Sequence, residues 1–162
     1  IYMWISLIIM LMLKNQPVKS LVVPVEKPVI TWISFEQAIE ANKTNKKKIF
    51  IDLYTPWCGW CKVMDNKTFA DSAVAAYMNA NFYCVKFNAE QTDTIYYRGH
   101  KFGTRAGSRT HELALSLLNN NPSYPSFVVL TEKENRLTII SGYQEKTVFL
   151  QNLKTLAAYK EK

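Results

Sequence analysis

Two cysteines three positions apart, Cys58 and Cys61, are the residues of this chain best suited to chemistry. They lie in the stretch YTPWCGWCK (residues 54–62), and the sequence holds one further cysteine, Cys84. Such a pair can supply half of a metal site, form a structural disulfide, or exchange electrons as a dithiol. Each possibility makes different demands on the rest of the sequence.

The metal site and the structural disulfide both lack support in the sequence. A zinc site needs two further ligands, and the available candidates (Cys84, His100 and His111) form no second pair at ligand spacing. A structural disulfide across three positions closes almost no loop, so it would stabilise the fold little. The spacing therefore favours redox exchange, and no metal ligand is predicted.

The segments on either side of the cysteines determine what the pair can do. KIFIDLYT (48–55) is a short apolar, β-branched run typical of a buried strand, and CKVMDNKTF (61–69) is predicted to continue as a helix. Cys58 then lies at a helix N-terminus, where free backbone N–H groups favour a thiolate. Cys61, one turn later on the same side, can attack a mixed disulfide on Cys58 and release the bound partner.

The remaining pattern predicts an α/β domain with a mixed central sheet and helices on both faces. A capping box at Ser34 and Gln37 opens the first helix, and FYCVKFN (82–88) is predicted to be a second strand. SFVVLT (126–131) and RLTIISGY (136–143) are too close together for anything but an antiparallel pair. Helices are also predicted over SAVAAYMNANF, THELALSLLN and KTVFLQNLKTLAAY, and a small hairpin over TIYYRGHKFG.

Composition limits the class of protein. The chain has 162 residues, of which 48% are hydrophobic, enough for one domain with its own core. Three cysteines are too few for a disulfide scaffold. The formal net charge is +7, but the lysines and arginines are dispersed, so no nucleic-acid partner is predicted.

The first thirteen residues form an uncharged apolar run, which predicts export. The run is shorter than the roughly 20 residues of a membrane-spanning helix and matches a signal-peptide core. We expect a cleaved signal or membrane anchor at 1–13, a proline-containing linker at 14–30, and the folded domain at 31–162. The expected location is extracytoplasmic, either periplasmic or anchored facing the periplasm, and a cytoplasmic location is the alternative.

Two segments, IDLYTPWCGWCK (51–62) and SYPSFVVL (123–130), resemble the hallmark segments of the thioredoxin superfamily. The resemblance covers roughly residues 31–160. Within the superfamily, the apolar start and the long stretch 89–122 are similar to exported bacterial proteins of the thiol-reducing kind. The resemblance implies a thioredoxin fold with an insertion before a cis-proline.

The resemblance also implies where substrate would bind. Pro125 would be the cis-proline that faces the two sulfurs and presents the backbone of Tyr124 to an extended peptide, with Pro122 as the competing candidate. Trp57 would form a flat apolar rim for docking. The implied substrate contacts are Trp57, Gly59, Trp60, Tyr124 and Pro125.

A buried acid is the other implied feature of the site. Asp52 lies between Ile51 and Leu53 in the predicted strand, which favours a buried carboxyl group with a raised pKa. The resemblance places it beneath Cys61, where it could take that thiol's proton. Lys86, in CVKFN, would pair with this acid.

Together these features predict a protein-disulfide reductase with Cys58 as nucleophile, Cys61 as resolving thiol and no organic cofactor. Its partners would be protein disulfides and an electron-donating dithiol protein, and it would act as a monomer. Trp60 stands where reductases of the family have proline and oxidative isomerases have histidine, so an isomerase or oxidase is the alternative. A different class, a non-catalytic module that holds extended peptides beside Pro125, is a second alternative.

Overall fold

The computed structural model describes residues 26–161, which form a mixed five-stranded sheet covered by helices on both faces. The predicted signal or anchor (1–13) and most of the predicted linker (14–30) lie outside the described residues. Within the described part of the chain, no helix is long and apolar enough to cross a membrane.

The elements follow the predicted order with two additions that the sequence does not predict, a two-residue strand at the start and a π-helical turn after the cysteines. The elements are β1 (Trp32–Ile33), α1 (Phe35–Thr44), β2 (Lys48–Tyr54), α2 (Gly59–Met64), the π-helical turn (Asp65–Phe69), α3 (Ser72–Asn81), β3 (Phe82–Asn88), β4 (Ile95–Tyr97), β5 (His100–Phe102), α4 (Glu112–Leu117), β6 (Ser126–Leu130), β7 (Arg136–Ser141) and α5 (Lys146–Ala158).

The central sheet has the strand order β1-β3-β2-β6-β7. β1, β3 and β2 run parallel to one another, whereas β6 is antiparallel to both of its neighbours. The predicted antiparallel pair of β6 and β7 is therefore confirmed. Because β2 lies at the centre, the loop that leaves its carboxyl end carries Cys58 over the middle of the sheet edge.

Short polar signals set where the helices begin. The capping box of Ser34 and Gln37 is present in both directions, and Asp71 caps α3 by accepting from two backbone N–H groups. α4 is shorter than its predicted span because it starts only after His111, whose Nδ1 accepts from the Leu113 N–H. His111 is fully buried in this capping role.

The stretch 89–122 folds back onto the domain rather than leaving it. Its hairpin, β4 and β5, turns at Arg98 and Gly99, both with positive φ, which is the two-residue geometry expected for a tight hairpin. His111 links two parts of this stretch, because its Nε2 donates a hydrogen bond to the Asp93 carbonyl at 2.9 Å. The predicted insertion before Pro125 is present in this form.

Two hydrophobic clusters occupy opposite faces of the sheet because successive strand side chains alternate. The first, here called the aliphatic core, packs under α1, α4 and the hairpin, and the second, the aromatic core, packs under α2, α3 and α5. Members of the aliphatic core include Ile49, Ile51, Leu53, Leu113 and Val128. Members of the aromatic core include Phe50, Phe69, Phe127, Phe149 and Met64.

Candidate active site

Cys58 and Cys61 form a disulfide at the start of α2, with Cα atoms 5.3 Å apart. Cys58 is the N-cap residue of this helix, and its Sγ accepts a hydrogen bond from the Cys61 N–H at 3.1 Å. That donor would also serve a Cys58 thiolate once the disulfide is reduced. Both residues are nearly buried, with 5% and 4% of their surface exposed.

Exposed aromatic side chains flank the buried disulfide. Trp57 and Trp60 are 61% and 62% exposed. The Trp57 ring meets Tyr124 edge-on at 6.2 Å, and the Trp60 ring lies 5.6 Å from Tyr143. The Trp57 indole is held in place because its Nε1 donates to Glu90 Oε1 at 3.0 Å. We call Trp57, Trp60, Tyr124 and Tyr143 the aromatic rim.

The backbone at Gly59 has room beside it. A Cβ atom added there would meet no heavy atom of the described residues within 4 Å, apart from the adjacent residues and the backbone of its own helix. The glycine also has an ordinary negative-φ backbone, so the fold itself does not require this residue type.

Pro125 lies at the sheet edge from which the cysteine loop departs, because the next residue, Ser126, pairs with Leu53 of β2. The Tyr124–Pro125 peptide bond is cis, as predicted, and the bond before the competing Pro122 is not. The Pro125 carbonyl accepts from the Gly142 N–H at 2.8 Å, which brings the turn after β7 to the same edge. This turn carries Tyr143, a rim residue that the sequence does not single out.

Asp52 is buried on the aromatic-core side of β2, with 2% of its surface exposed. Burial raises its pKa to about 6, against the opposing effect of Lys86, whose Nζ lies 2.7 Å from Asp52 Oδ2. Its other oxygen, Oδ1, is buried and has no hydrogen-bond partner among residues 26–161. The carboxyl group can therefore bind or release a proton near neutral pH, and it has an oxygen free to do so.

Lys86 faces Asp52 directly because the two residues are partners in the parallel register of β3 and β2. Burial lowers the pKa of Lys86, but the two neighbouring carboxylates, Asp52 and Asp65, raise it above its ordinary value. The ammonium group is thus held charged. Three aromatic rings lie 5.1 to 5.4 Å from it, those of Trp32, Tyr54 and Phe69.

Asp65 is a member of this cluster that the sequence analysis does not identify. It begins the π-helical turn directly after α2, and its carboxylate accepts a hydrogen bond from the Lys86 ammonium. The signal in the sequence is its spacing, since Asp65 lies four residues after Cys61 and so on the same side of the helix. Nothing in the sequence alone connects that side to Lys86.

Cys84 belongs to the aromatic core and is a free, buried cysteine. Burial raises the pKa of its thiol to about 12, so the group stays protonated at neutral pH. Among the described residues, no group of three or more His, Cys, Asp or Glu side chains is placed to hold a metal ion.

Comparison with known proteins shows that this chain is similar to thioredoxin-like proteins in both sequence and fold. The family profile described as "Thioredox_DsbH: Protein of unknown function, DUF255" matches residues 12–147. Two curated relatives match shorter stretches. The "Uncharacterized protein B0495.5" of Caenorhabditis elegans is 33% identical over 67 residues, and "Spermatogenesis-associated protein 20" of Mus musculus is 27% identical over 71 residues. Each match takes in 41% of this chain and 9% of the relative's length.

Three solved structures share the fold. A "DsbH Oxidoreductase" aligns with a TM-score of 0.59 at 15% identity, over 93% of this chain and 99% of the other. A thioredoxin from Thermus thermophilus gives a TM-score of 0.60 at 16% identity, over 80% and 88% of the two chains. A putative disulphide-isomerase from Bacteroides thetaiotaomicron gives 0.58 at 23% identity, over 85% and 99%. The predicted thioredoxin fold is confirmed.

Proposed function

The chain belongs to the thioredoxin-like DsbH family, and from that premise we propose that it is a thiol–disulfide oxidoreductase that reduces protein disulfides. The observation that carries the proposal is the Cys58–Cys61 disulfide, placed in the first turn of α2 with a buried acid on the same side of the sheet. For the complete protein, the proposed substrates are protein disulfides and the proposed electron donor is a second dithiol protein.

In the first step, the thiolate of reduced Cys58 attacks one sulfur of a substrate disulfide. The substrate S–S bond breaks, a mixed disulfide forms between Cys58 and the substrate, and the departing substrate sulfur takes a proton from solvent. The Cys61 N–H, which donates to Cys58 Sγ at 3.1 Å, supports the thiolate before attack.

In the second step, Cys61 loses its proton to Asp52 and attacks Cys58 Sγ. The Cys58–Cys61 bond forms, the bond to the substrate breaks, and the second substrate sulfur leaves as a thiol after protonation. Two electrons have then passed from the dithiol to the substrate. Asp52 suits the role of base because its pKa is about 6 and its Oδ1 has no partner in the described part of the chain.

The position of Asp52 on the sheet supports this assignment. Its side chain points to the same face as Phe50, two residues earlier on β2. Phe50 packs in one cluster with Met64, which is a buried residue of α2 like Cys61. Asp52 therefore lies on the face of the sheet that α2 covers, which supports a role for its carboxyl group in the chemistry of the two sulfurs.

The aromatic rim is the proposed docking surface for substrate. Trp57 and Trp60 expose large apolar rings beside the disulfide, and exposed aromatic patches of this kind mark binding sites. The rim continues from Trp57 to Tyr124, which directly precedes the cis-proline Pro125.

Trp60 supports reduction over oxidation as the direction of the reaction. A cation beside Cys58 would stabilise the thiolate and make the disulfide more oxidising. Trp60 places an uncharged ring at this position and contacts another, Tyr143. The isomerase or oxidase alternative uses the same residues and differs in reduction potential.

The remaining assignments follow from the same proposal. An extracytoplasmic location, with residues 1–13 as signal or anchor, fits a protein that takes electrons from a second dithiol protein and passes them to exported substrates. The cytoplasm is the alternative. No organic cofactor is needed, because the cysteine pair holds both electrons, and a monomer is sufficient because one chain supplies every group named above.

Reduction of a protein disulfide such as that of insulin, with a dithiol as electron donor, tests the proposal. Cys58→Ser should abolish turnover, and Cys61→Ser should accumulate a mixed disulfide with substrate. Cys84→Ser is the matched control and should stay active, since Cys84 is buried and takes no part in the disulfide. Turnover that survives Cys58→Ser contradicts the proposal, and a wild type that binds extended peptides without reducing any disulfide supports the non-catalytic alternative.

A further inference from the structure

Asp65 is a carboxylate at the site that the two proposed steps do not use. It ends α2 and begins the π-helical turn, with its backbone N–H bonded to the Cys61 carbonyl. Its side chain is 42% exposed, whereas that of Asp52 is 2% exposed. One acid of the site thus lies at the surface and the other beneath it.

The Lys86 ammonium lies between these two acids. It is 2.7 Å from Asp52 Oδ2 on the buried side and donates a hydrogen bond to Asp65 Oδ1 on the solvent side. The surrounding aromatic rings restrict its movement. A single positive charge is therefore shared between two negative ones.

This sharing limits how strongly Lys86 can hold Asp52 in its charged form. If Asp65 were neutral, the ammonium charge would act on Asp52 alone and the repulsion between the two carboxylates would vanish. Both changes would make Asp52 a weaker base. Burial of Asp52 acts in the opposite direction, because it disfavours the charged carboxylate.

No other charged group competes for this role within the described part of the chain. Across β2, the partner of Asp52 on β6 is Phe127, which carries no charge. On β3 the partner is Lys86, and the helical segment above contributes the cysteine pair and Asp65. The charges that act on Asp52 are those of Lys86 and Asp65.

Water can reach the outer half of this cluster. A groove open to solvent is lined by Trp32, Asp65, Phe69 and Lys86, together with residues 29, 30 and 70. Lys86, which lines this groove, also contacts the buried Asp52, whose side chain does not line it. Asp65 is therefore placed to affect the buried acid while remaining accessible itself.

We propose that Asp65 is a positioning residue of the reaction, which shares the Lys86 ammonium and so keeps Asp52 basic enough to take the proton from Cys61. Asp65 forms no bond with substrate and acts only through its contact with Lys86. The inference rests on the proposed function, because it assigns Asp65 a part in the resolving step of that reaction.

Asp65→Asn in the full chain tests this inference, because asparagine keeps the shape and removes the charge. NMR titration of the Asp52 carboxyl carbon in the reduced protein should show a midpoint lower by about 0.5 to 1 pH unit. Decay of the trapped mixed disulfide near pH 7 should slow by roughly two- to fivefold, since a weaker base accepts the Cys61 proton less readily. Asp65→Glu should restore both values toward wild type.

Glu40→Gln is the matched control, since it removes one carboxylate from an exposed ion pair with Lys43 on α1. An unchanged Asp52 midpoint in Asp65→Asn, or a shift that Glu40→Gln reproduces, overturns the assignment. A lowered midpoint with an unchanged decay rate overturns the part of Asp65 in the reaction. The titration needs no turnover, so a wild type that reduces no disulfide contradicts the proposed function separately.

Discussion

Ile51 and Asp52 are neighbours in the central strand, yet their side chains enter opposite halves of the molecule. Ile51 is fully buried in the aliphatic core, with Ile49 and Leu53 on the same face of β2. Asp52 points to the other face, where the aromatic core ends and the Lys86 ion pair begins. Helices cover both faces, but the cysteine pair lies above the second alone.

One strand thus carries two kinds of buried side chain, apolar on one face and ionisable on the other. On the aliphatic face, the burial of each apolar side chain contributes roughly 1.5 to 3 kcal/mol of favourable transfer free energy. The side chains of β2 on that face carry no charge. On the aromatic face, a carboxyl group is buried at a cost in stability, which leaves it with a raised pKa. A step of one residue along β2 therefore separates a stabilising residue from one suited to proton transfer.

Ile51→Ala should give the largest effect, because it removes buried methyl and methylene groups from the packed aliphatic face. We expect a loss of about 2 to 5 kcal/mol in the free energy of unfolding, measured by urea denaturation of the oxidised protein. The molecules that remain folded should reduce disulfides at the wild-type rate. Val148→Ala, at a site 55% exposed, is the control and should change the free energy of unfolding by less than about 0.5 kcal/mol.

Asp52→Asn should give the next effect, and on the reaction rather than the fold. Near pH 7 the mixed disulfide should decay about 100-fold more slowly, because Cys61 loses its general base. The first attack by Cys58 should keep its rate, which provides an internal control in the same variant. Quenched-flow trapping of the mixed disulfide measures both steps, and an unchanged decay rate would remove Asp52 from the mechanism.

The same Asp52→Asn variant should be more stable than wild type at neutral pH. The folded protein holds the Asp52 proton with a pKa of about 6, against an ordinary value of 3.8, so wild type loses stability as the pH rises through this window. Asparagine removes that loss, which reaches about 3 kcal/mol once the pH is well above 6 and disappears below about pH 4. Urea denaturation of the oxidised proteins across this range tests it. A difference independent of pH would contradict the burial account.

Trp60→Ala should give the smallest effect, confined to substrate binding. The ring is 62% exposed on the disulfide side, so its loss should raise KM about three- to tenfold and change the free energy of unfolding little. Tyr96→Ala is the control on the other side, where the hairpin packs on the aliphatic core and the Tyr96 side chain is 73% exposed. Equal changes in KM for the two variants would argue against the aromatic rim as the docking surface.

Most of the strands and helices that position the site could be predicted from local sequence patterns. The β-branched run of β2 and the alternation in β3 place Asp52 and Lys86 on buried strands, and their pairing needs only a parallel register. The N-caps at Ser34 and Asp71 could also be predicted, because each depends only on residues within the next three positions of the chain. Patterns that extend over a whole element are the ones that sequence periodicity resolves.

The features that could not be predicted from the sequence depend on contacts between segments that are distant along the chain. β1 is two residues long and shows no periodicity, so it is recognisable only beside β3. The sequence DNKTF predicts an ordinary continuation of the α-helix, but in the structure it forms a wider, π-helical turn that begins at Asp65. Tyr143 reaches Trp60 only because Gly142, with φ +85°, turns the chain after β7.

The reduction potential of the Cys58–Cys61 pair, measured by equilibration with a glutathione redox buffer, tests the central claim most directly. The pair should behave as a two-electron couple, with Cys84 contributing nothing because it stays buried and protonated. We predict a potential between about −200 and −270 mV, in the range of reducing members of the fold. A value above about −200 mV, toward the roughly −120 mV of strongly oxidising relatives, would contradict the assignment as a reductase.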